Sequence, residues 1–315
     1  MIRLVALLSV LILTGCTLEQ QGAFSLEAYS KTLRSAPPAL VGDGVADQSP
    51  AIQAMLNAGP GTYIIPNGVF RCDSTIIVPP DVHVLCYGEV IRKASAASTS
   101  PVVNVQGSLA KWVGGRITTE KNHPQGIVRL GHHDTSATYT TVKWLLADCI
   151  VVGVQAPGNI GLSIISAQSA GGPANFFGHV RNVAIICADV GIQVEEVANS
   201  HHFNDILFWN CISAGFRFYG SYGNHVFGGF VHNSTNGIIG ADLRNARYAG
   251  APHASCNNYI YGLGVEPGGA ASMGYRVDSL CARNTIELSD NVLGGNLSLN
   301  SANRLITPFS AGFVP

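Results

Sequence analysis

Two short sequence patterns alternate through the second half of this chain, and their alternation restricts the fold more than any other feature. One is a glycine followed by alternating apolar residues: Gly161–Ile165 (GLSII), Gly191–Glu195 (GIQVE), Gly215–Tyr219 (GFRFY), Gly237–Ala241 (GIIGA), Gly274–Asp278 (GYRVD) and Gly295–Leu299 (GNLSL). The other is an asparagine opening a strand: Asn204–Phe208 (NDILF), Asn224–Gly228 (NHVFG), Asn258–Gly262 (NYIYG), Asn284–Leu288 (NTIEL) and Asn303–Ile306 (NRLI). They interleave with a period of roughly 20–25 residues, half the 40–45 that a propeller blade needs. A unit this short cannot bury its own apolar face, so successive units must stack. Their strands would pair in parallel about 4.8 Å apart, with like residues in columns. The spacing predicts an all-β fold, a single-stranded right-handed parallel β-helix. The 36 glycines and the charged fraction of only 12% suit tight turns and exclude a disordered chain. A net charge of −1 gives no electrostatic reason to expect nucleic acid.

Seven cysteines follow Cys16, an odd number that argues against a complete disulfide framework, and none has the spacing of a metal site. Cys149, Cys187 and Cys211 each stand four residues before a glycine (Gly153, Gly191, Gly215), with Asn233 next in phase before Gly237. This spacing predicts one inward, inert column.

Upstream, GDGVADQSPAIQ (Gly42–Gln53) reads as a turn followed by a short helix. Ser49 is the expected cap and Pro50 the first helical residue; Ala51, Ile52, Met55 and Leu56 give an apolar stripe. Gly42 and Gly44 allow backbone angles that other residues resist, and Asp43 and Asp47 are expected to bond turn amides. This segment, with GPGTYIIPNGVFRCDSTIIVPPDVHVLCYGEV after it, resembles the start of the pectate-lyase-superfamily β-helix domain. Rhamnogalacturonase-like enzymes, epimerase-like proteins and phage tailspikes share that domain. The likeness is specific over Val41–Val90, with Phe70 where the family has Tyr. It implies that the helix closes the N-terminal end of the coil and that outward ladders hold a polysaccharide. It carries no reaction across. Polygalacturonase-type motifs are missing, Gly178-His179-Val180 being a fragment only, and there is no aspartate cluster for calcium. No cofactor or metal is expected.

At the N-terminus, Arg3 precedes an apolar run, Leu4–Leu13, too short to span a bilayer but laid out as an export signal. Leu13-Thr14-Gly15-Cys16 resembles a bacterial lipobox, which implies a lipid anchor on Cys16. The expected organisation is a signal over 1–15, a tether over 16–39, the β-helix over 40–309 and a short tail over 310–315. The location is then the cell envelope or surface, with secreted or phage-associated placement as the alternative.

Candidate chemistry follows from the alternation. Gln193, Arg217 and Arg276 fall in one outward column, and Glu195, Tyr219 and Asp278 in its neighbour, while Ile239 and Ala241 hold those places in the unit between. Glu196 and Asp242 lie one residue past the strand ends. Glu195 and Asp242, two units or about 9.6 Å apart along the axis, have the spacing of an inverting carboxyl pair. Arg217 or Arg276 would instead neutralise a uronate while Tyr219 or a histidine moves the proton of a β-elimination. A solvated ladder of mixed charge is the plain alternative. In the asparagine series Asp205 and His225 share a position, with His201 and His202 just upstream, a possible base pair or a surface hydrogen bond. Leu207, Phe227 and Tyr261 point outward, as a sugar-stacking platform or an oligomer contact; the tailspike resemblance implies a homotrimer. The expected function is cleavage of a polysaccharide, acidic or neutral, by hydrolysis or β-elimination. The alternatives are glycan binding without cleavage, as in an adhesin or receptor-binding protein, and a mainly structural envelope lipoprotein.

Overall fold

The computed structural model describes residues 33–34, 40–131, 141–165, 174–195, 198–232, 238–245, 254–266, 272–288, 296–297 and 303–306. The segments expected to be signal (1–15) and tail (310–315), Cys16, most of the expected tether, and Glu196, Asn233 and Gly237 lie outside them. Among the described residues the strands form sheets of seventeen, nine and three members, and every strand pair is parallel. The chain is a right-handed parallel β-helix. No helix among these residues is long and apolar enough to cross a membrane.

The N-terminal end is closed by the helix Ser49–Leu56, which buries Ile52, Met55 and Leu56. Its cap differs from the expected one. Gln48 is the cap residue and makes no side-chain cap bond; the Asp47 carboxylate before it accepts from the backbone N–H and the hydroxyl of Ser49 and from the N–H of Asp73 at 3.0 Å, which ties the helix start to the first coil. Asp43 holds the Val45 amide at 2.9 Å, and Gly44 takes the left-handed φ of 72° that its turn needs.

Each central coil crosses the seventeen-stranded sheet twice, with a corner between the two passes. Arg181, Asn204, Phe227 and Tyr261 stack in register. The residues that follow them, Asn182, Asp205, Gly228 and Gly262, all have φ between 50° and 68°. Only Gly, Asn and Asp visit this region readily. Asp205 is therefore a corner residue, in phase with Gly228 and not with His225. His225 instead pairs with His202 and Tyr259. The expected Asp205–His225 pairing is not made.

The asparagine ladder is real but begins one unit later than the sequence series. Asn258 Oδ1 accepts from the N–H and Nδ2 of Asn224 at 3.1 and 3.0 Å, and Asn284 and Asn303 repeat the pattern. Each Nδ2 also reaches a backbone carbonyl of the preceding coil. Asn204 lies outside this column. Its place is taken by His201, whose N–H donates to Asn224 Oδ1 at 3.1 Å and whose Nδ1 accepts from Gly178 at 3.0 Å.

Inside the coil, Phe208 packs edge-on against Phe216 at 4.9 Å, and Trp112 and Trp144 are fully buried. The cysteines do not form one inward column. Cys149 is in phase with Val183, Cys187 with Asn210 at a positive-φ turn, and Cys211 with Ala188. Counting back from a glycine fails because a corner of variable length intervenes. All seven described cysteines are free, and burial pushes the thiols of Cys86, Cys211 and Cys281 up to about 12.

The two asparagine environments separate in a stability measurement. Asn258→Ala leaves two buried donors of Asn224 without an acceptor and is expected to cost about 2–5 kcal/mol. Asn204→Ala, off the ladder, stays within about 0.5 kcal/mol of the parent. Midpoints of chemical denaturation check both.

Candidate functional site

The nine-stranded sheet carries the charged columns, and one glycine sets their register. Gly191, Gly215, Gly240 and Gly274 stack where the chain turns into this sheet; a Cβ on Gly240 would lie 2.5 Å from Gly274 O and 2.4 Å from Val265 Cγ2. The member after Gly215 is Gly240, three residues after the expected Gly237. That shift changes the site. Gln193, Arg217, Asp242 and Arg276 share one column, and Glu195, Tyr219 and Arg244 the next. Asp242 does not sit past a strand end, and Ile239 and Ala241 are not outward partners of Arg217 and Tyr219. Phe216, Phe218, Ala241, Leu243 and Val277 alternate with these polar residues and fill the core.

The Asp242 carboxylate is wholly buried and receives three guanidiniums. Arg217 Nε lies 3.0 Å and Arg276 Nη2 2.7 Å from Oδ2, while Arg244 Nε and Arg276 Nε each lie 2.8 Å from Oδ1. A carboxylate has about four lone-pair positions, and all four are occupied by charged donors. Asp242 thus orients arginines and has no acceptor left for a sugar or a water. A buried carboxylate tolerates burial only when paired this way. The cluster holds three positive charges to one negative, and its arginine side chains are 14–31% exposed while Asp242 is not. Its outer surface is a rigid patch of guanidinium edges.

The other candidates are distributed around it. Glu195 is 3% exposed and accepts a hydrogen bond from Gln193 Nε2, so both lie at the floor of the face. Tyr219 sits between Glu195 and Arg244 in the second column. Asp278 follows the strand end; its Oδ2 accepts from the Asn245 N–H at 3.1 Å. The sequence reading missed Arg244, although it stands four residues after Gly240 as Glu195 and Tyr219 stand four after theirs.

A second polar stack runs along the seventeen-stranded sheet. His179, His202 and His225 stack at 5.0 Å spacings and continue onto Tyr259 at 4.9 Å, while Phe227 and Tyr261 stack beside them at 5.6 Å. These rings turn their faces to one another and their edges to solvent, so interior members offer no flat platform for a sugar. His179 and His225 have lowered proton affinity, through burial first and then the neighbouring charge of His202. Asp205 stands apart at its corner.

No family model and no curated protein matches the chain. Solved structures do. The endo-xylogalacturonan hydrolase from Aspergillus tubingensis aligns with a TM-score of 0.49 at 11% identity, over 88% of this chain and 93% of that one. The surface adhesin PfbA of Streptococcus pneumoniae aligns at 0.48 and 13%, over 87% and 88%. A tailspike protein of the E. coli bacteriophage HK620 aligns at 0.48 and 10%, over 89% of this chain and 60% of that one. The likeness is one of fold.

Histidine titration gives a pH prediction. For His179 and His225 the folded proton affinity is below the unfolded one, so the unfolded chain binds more protons as pH falls. Their stabilising contribution is present above about pH 6.5 and is lost as pH drops through the lower folded values. The melting temperature is expected to decline from about pH 6.5 downward, before carboxylates titrate, and His202→Gln to lessen that decline only in part, since burial of His179, His225, His123 and His201 remains. Thermal scans across pH check it.

Proposed function

We propose that this protein binds an acidic polysaccharide on the outer face of its nine-stranded sheet. The observation that carries the reading is the three-arginine cluster locked by one buried aspartate. Guanidiniums match carboxylate and sulfate geometry in pairs, and pre-ordering them removes the entropy that flexible side chains lose on binding. A chain with a net charge of only −1 and so few charges concentrates them here, and the neighbouring Gln193 and Tyr219 add neutral hydrogen-bonding groups of the kind sugars use. Export and a lipid anchor at Cys16 would hold the protein at the cell surface, where such polymers occur. The homotrimer stays part of the proposal, through the exposed Leu207, Trp209 and Phe227, and the solution mass tests it.

Cleavage is the second reading, and the position of Tyr219 favours elimination over hydrolysis. Arg217 and Tyr219 leave the same strand on the same side, so a uronate paired with the arginine brings its ring towards the phenol. In β-elimination a base takes the proton next to the carboxylate, the C–O bond at the adjacent position breaks, and the leaving oxygen takes up a proton. A hydrolytic pair of Glu195 and Asp242 is disfavoured because Asp242 has no free lone pair.

Acidic polymers such as polygalacturonate, alginate and hyaluronan, set against neutral dextran, test both readings. Binding is expected for acidic polymers only, to weaken with added salt, and to fall about tenfold or more in Arg276→Gln. Equal binding of dextran would contradict the proposal. Ultraviolet absorbance of an unsaturated product, abolished in Tyr219→Phe, would establish elimination; binding without it leaves recognition as the function.

A further inference from the structure

The column that holds the arginine cluster does not stop there. Three coils towards the N-terminal end it continues through Asn104, Arg129 and Ser163, which pair in register on successive coils and lead to Gln193 and Arg217. Their strand neighbours Val103, Val105, Val128, Leu130, Leu162 and Ile164 are all core residues, so the three polar side chains belong to the outer face. They are nevertheless deep: Arg129 is 9% and Ser163 1% exposed.

Their hydrogen bonding is incomplete in a coherent way. Arg129 Nη2 donates to Gln125 Oε1 at 2.8 Å and Asn104 Nδ2 to Gln106 Oε1 at 3.0 Å. Among the described residues, Arg129 Nε, Ser163 Oγ and Asn104 Oδ1 are buried without a partner. Native proteins rarely leave such atoms unpaired, because each costs the desolvation of a polar group. Arg92 shows how a structural arginine of this chain is treated. It is fully buried and leaves only Nη2 unpaired among the described residues, while its Nε reaches Cys72 O at 3.0 Å and its Nη1 reaches Ser100 O at 2.6 Å and Ser98 Oγ at 3.4 Å. Among the described residues Arg129 has one such bond and, beyond it, the nearby charge of Glu195 opposing the effect of burial.

The unpaired atoms are a charged donor, a hydroxyl able to donate or accept, and a carbonyl acceptor. A carboxylate or sulfate with an adjacent sugar hydroxyl satisfies all three: the anion takes Arg129 Nε–H and the Ser163 hydroxyl, and the sugar hydroxyl donates to Asn104 Oδ1. We infer that Asn104, Arg129 and Ser163 form a second, deeper subsite for an acidic sugar residue of the same chain that occupies the arginine cluster. This inference rests on the proposed function and adds direction and length to it. Arg129 lies three coils from Arg217, about 14 Å at 4.8 Å per coil. The ligand therefore runs along the helix axis, and a dimer or single sugar is too short to engage both subsites.

Size-graded oligogalacturonates and oligoguluronates, titrated calorimetrically into the full chain, test this. Affinity is expected to rise with length until the oligomer spans about 14 Å. In Arg129→Gln that rise is lost, with about tenfold weaker binding of long oligomers and unchanged binding of short ones. Ser163→Ala removes an unpaired buried hydroxyl, so its melting temperature is expected to rise while long oligomers bind more weakly. A merely structural serine would not give that opposition, and this variant carries the test if Arg129→Gln fails to fold. Short oligomers binding as tightly as long ones, or Ser163→Ala leaving long-oligomer affinity unchanged, overturns the inference and leaves the arginine site standing. If no oligomer binds at any length, both readings fall together.

Discussion

Backbone hydrogen bonds in this molecule run from each coil to the coils above and below, and everything else depends on that constraint. A side chain keeps its column only while no coil slips. The buried asparagine ladder holds the phase on one side, since Asn224, Asn258, Asn284 and Asn303 each satisfy both amide and carbonyl through the neighbouring coil. The glycine column holds it on the other, because a Cβ at Gly191 would collide with Phe208 and with Gly215 O. Between these pins the loops can vary in length without moving the outer face.

That rigidity explains how so weakly charged a chain can build a concentrated site. Residues far apart in sequence (Arg217, Asp242 and Arg276) become neighbours about 4.8 Å apart for no reason other than register. Once adjacent, a buried carboxylate must be paired, and three guanidiniums pair it. The aspartate most easily mistaken for a catalytic acid is therefore the anchor of the cluster.

The sequence made the architecture legible because the period is written in two residue types with different duties: glycine for close approach, asparagine for the ladder. The capping helix was legible too, down to its buried face, although Gln48 and not Ser49 is its cap residue and Asp47 holds the first amide. What failed was phase across insertions. GIIGA contains two glycines, Gly237 and Gly240, and composition alone does not say which meets Gly215; choosing the wrong one displaced Asp242 and hid Arg244. The asparagine of NDILF has the ladder's neighbours but not its position, and His201 had no signal marking it as the substitute. Asp205 was read as half of a base pair because the left-handed corner after Asn204 is a property of φ, which a single aspartate does not announce. Arg129 and Ser163 drew no attention because one arginine and one serine mean little until their unpaired atoms are seen side by side.

The central claim is that Asp242 gives the arginines their geometry and that geometry, not net positive charge, binds the ligand. Asp242→Asn tests it in one protein, with acidic-polymer affinity and melting temperature measured together. The substitution makes the face more positive, so simple attraction would tighten binding at unchanged stability. The account predicts the reverse: a lower melting temperature and weaker binding, because four hydrogen bonds from three guanidiniums lose their buried, charged acceptor. Tighter binding by a protein of unchanged stability would contradict it.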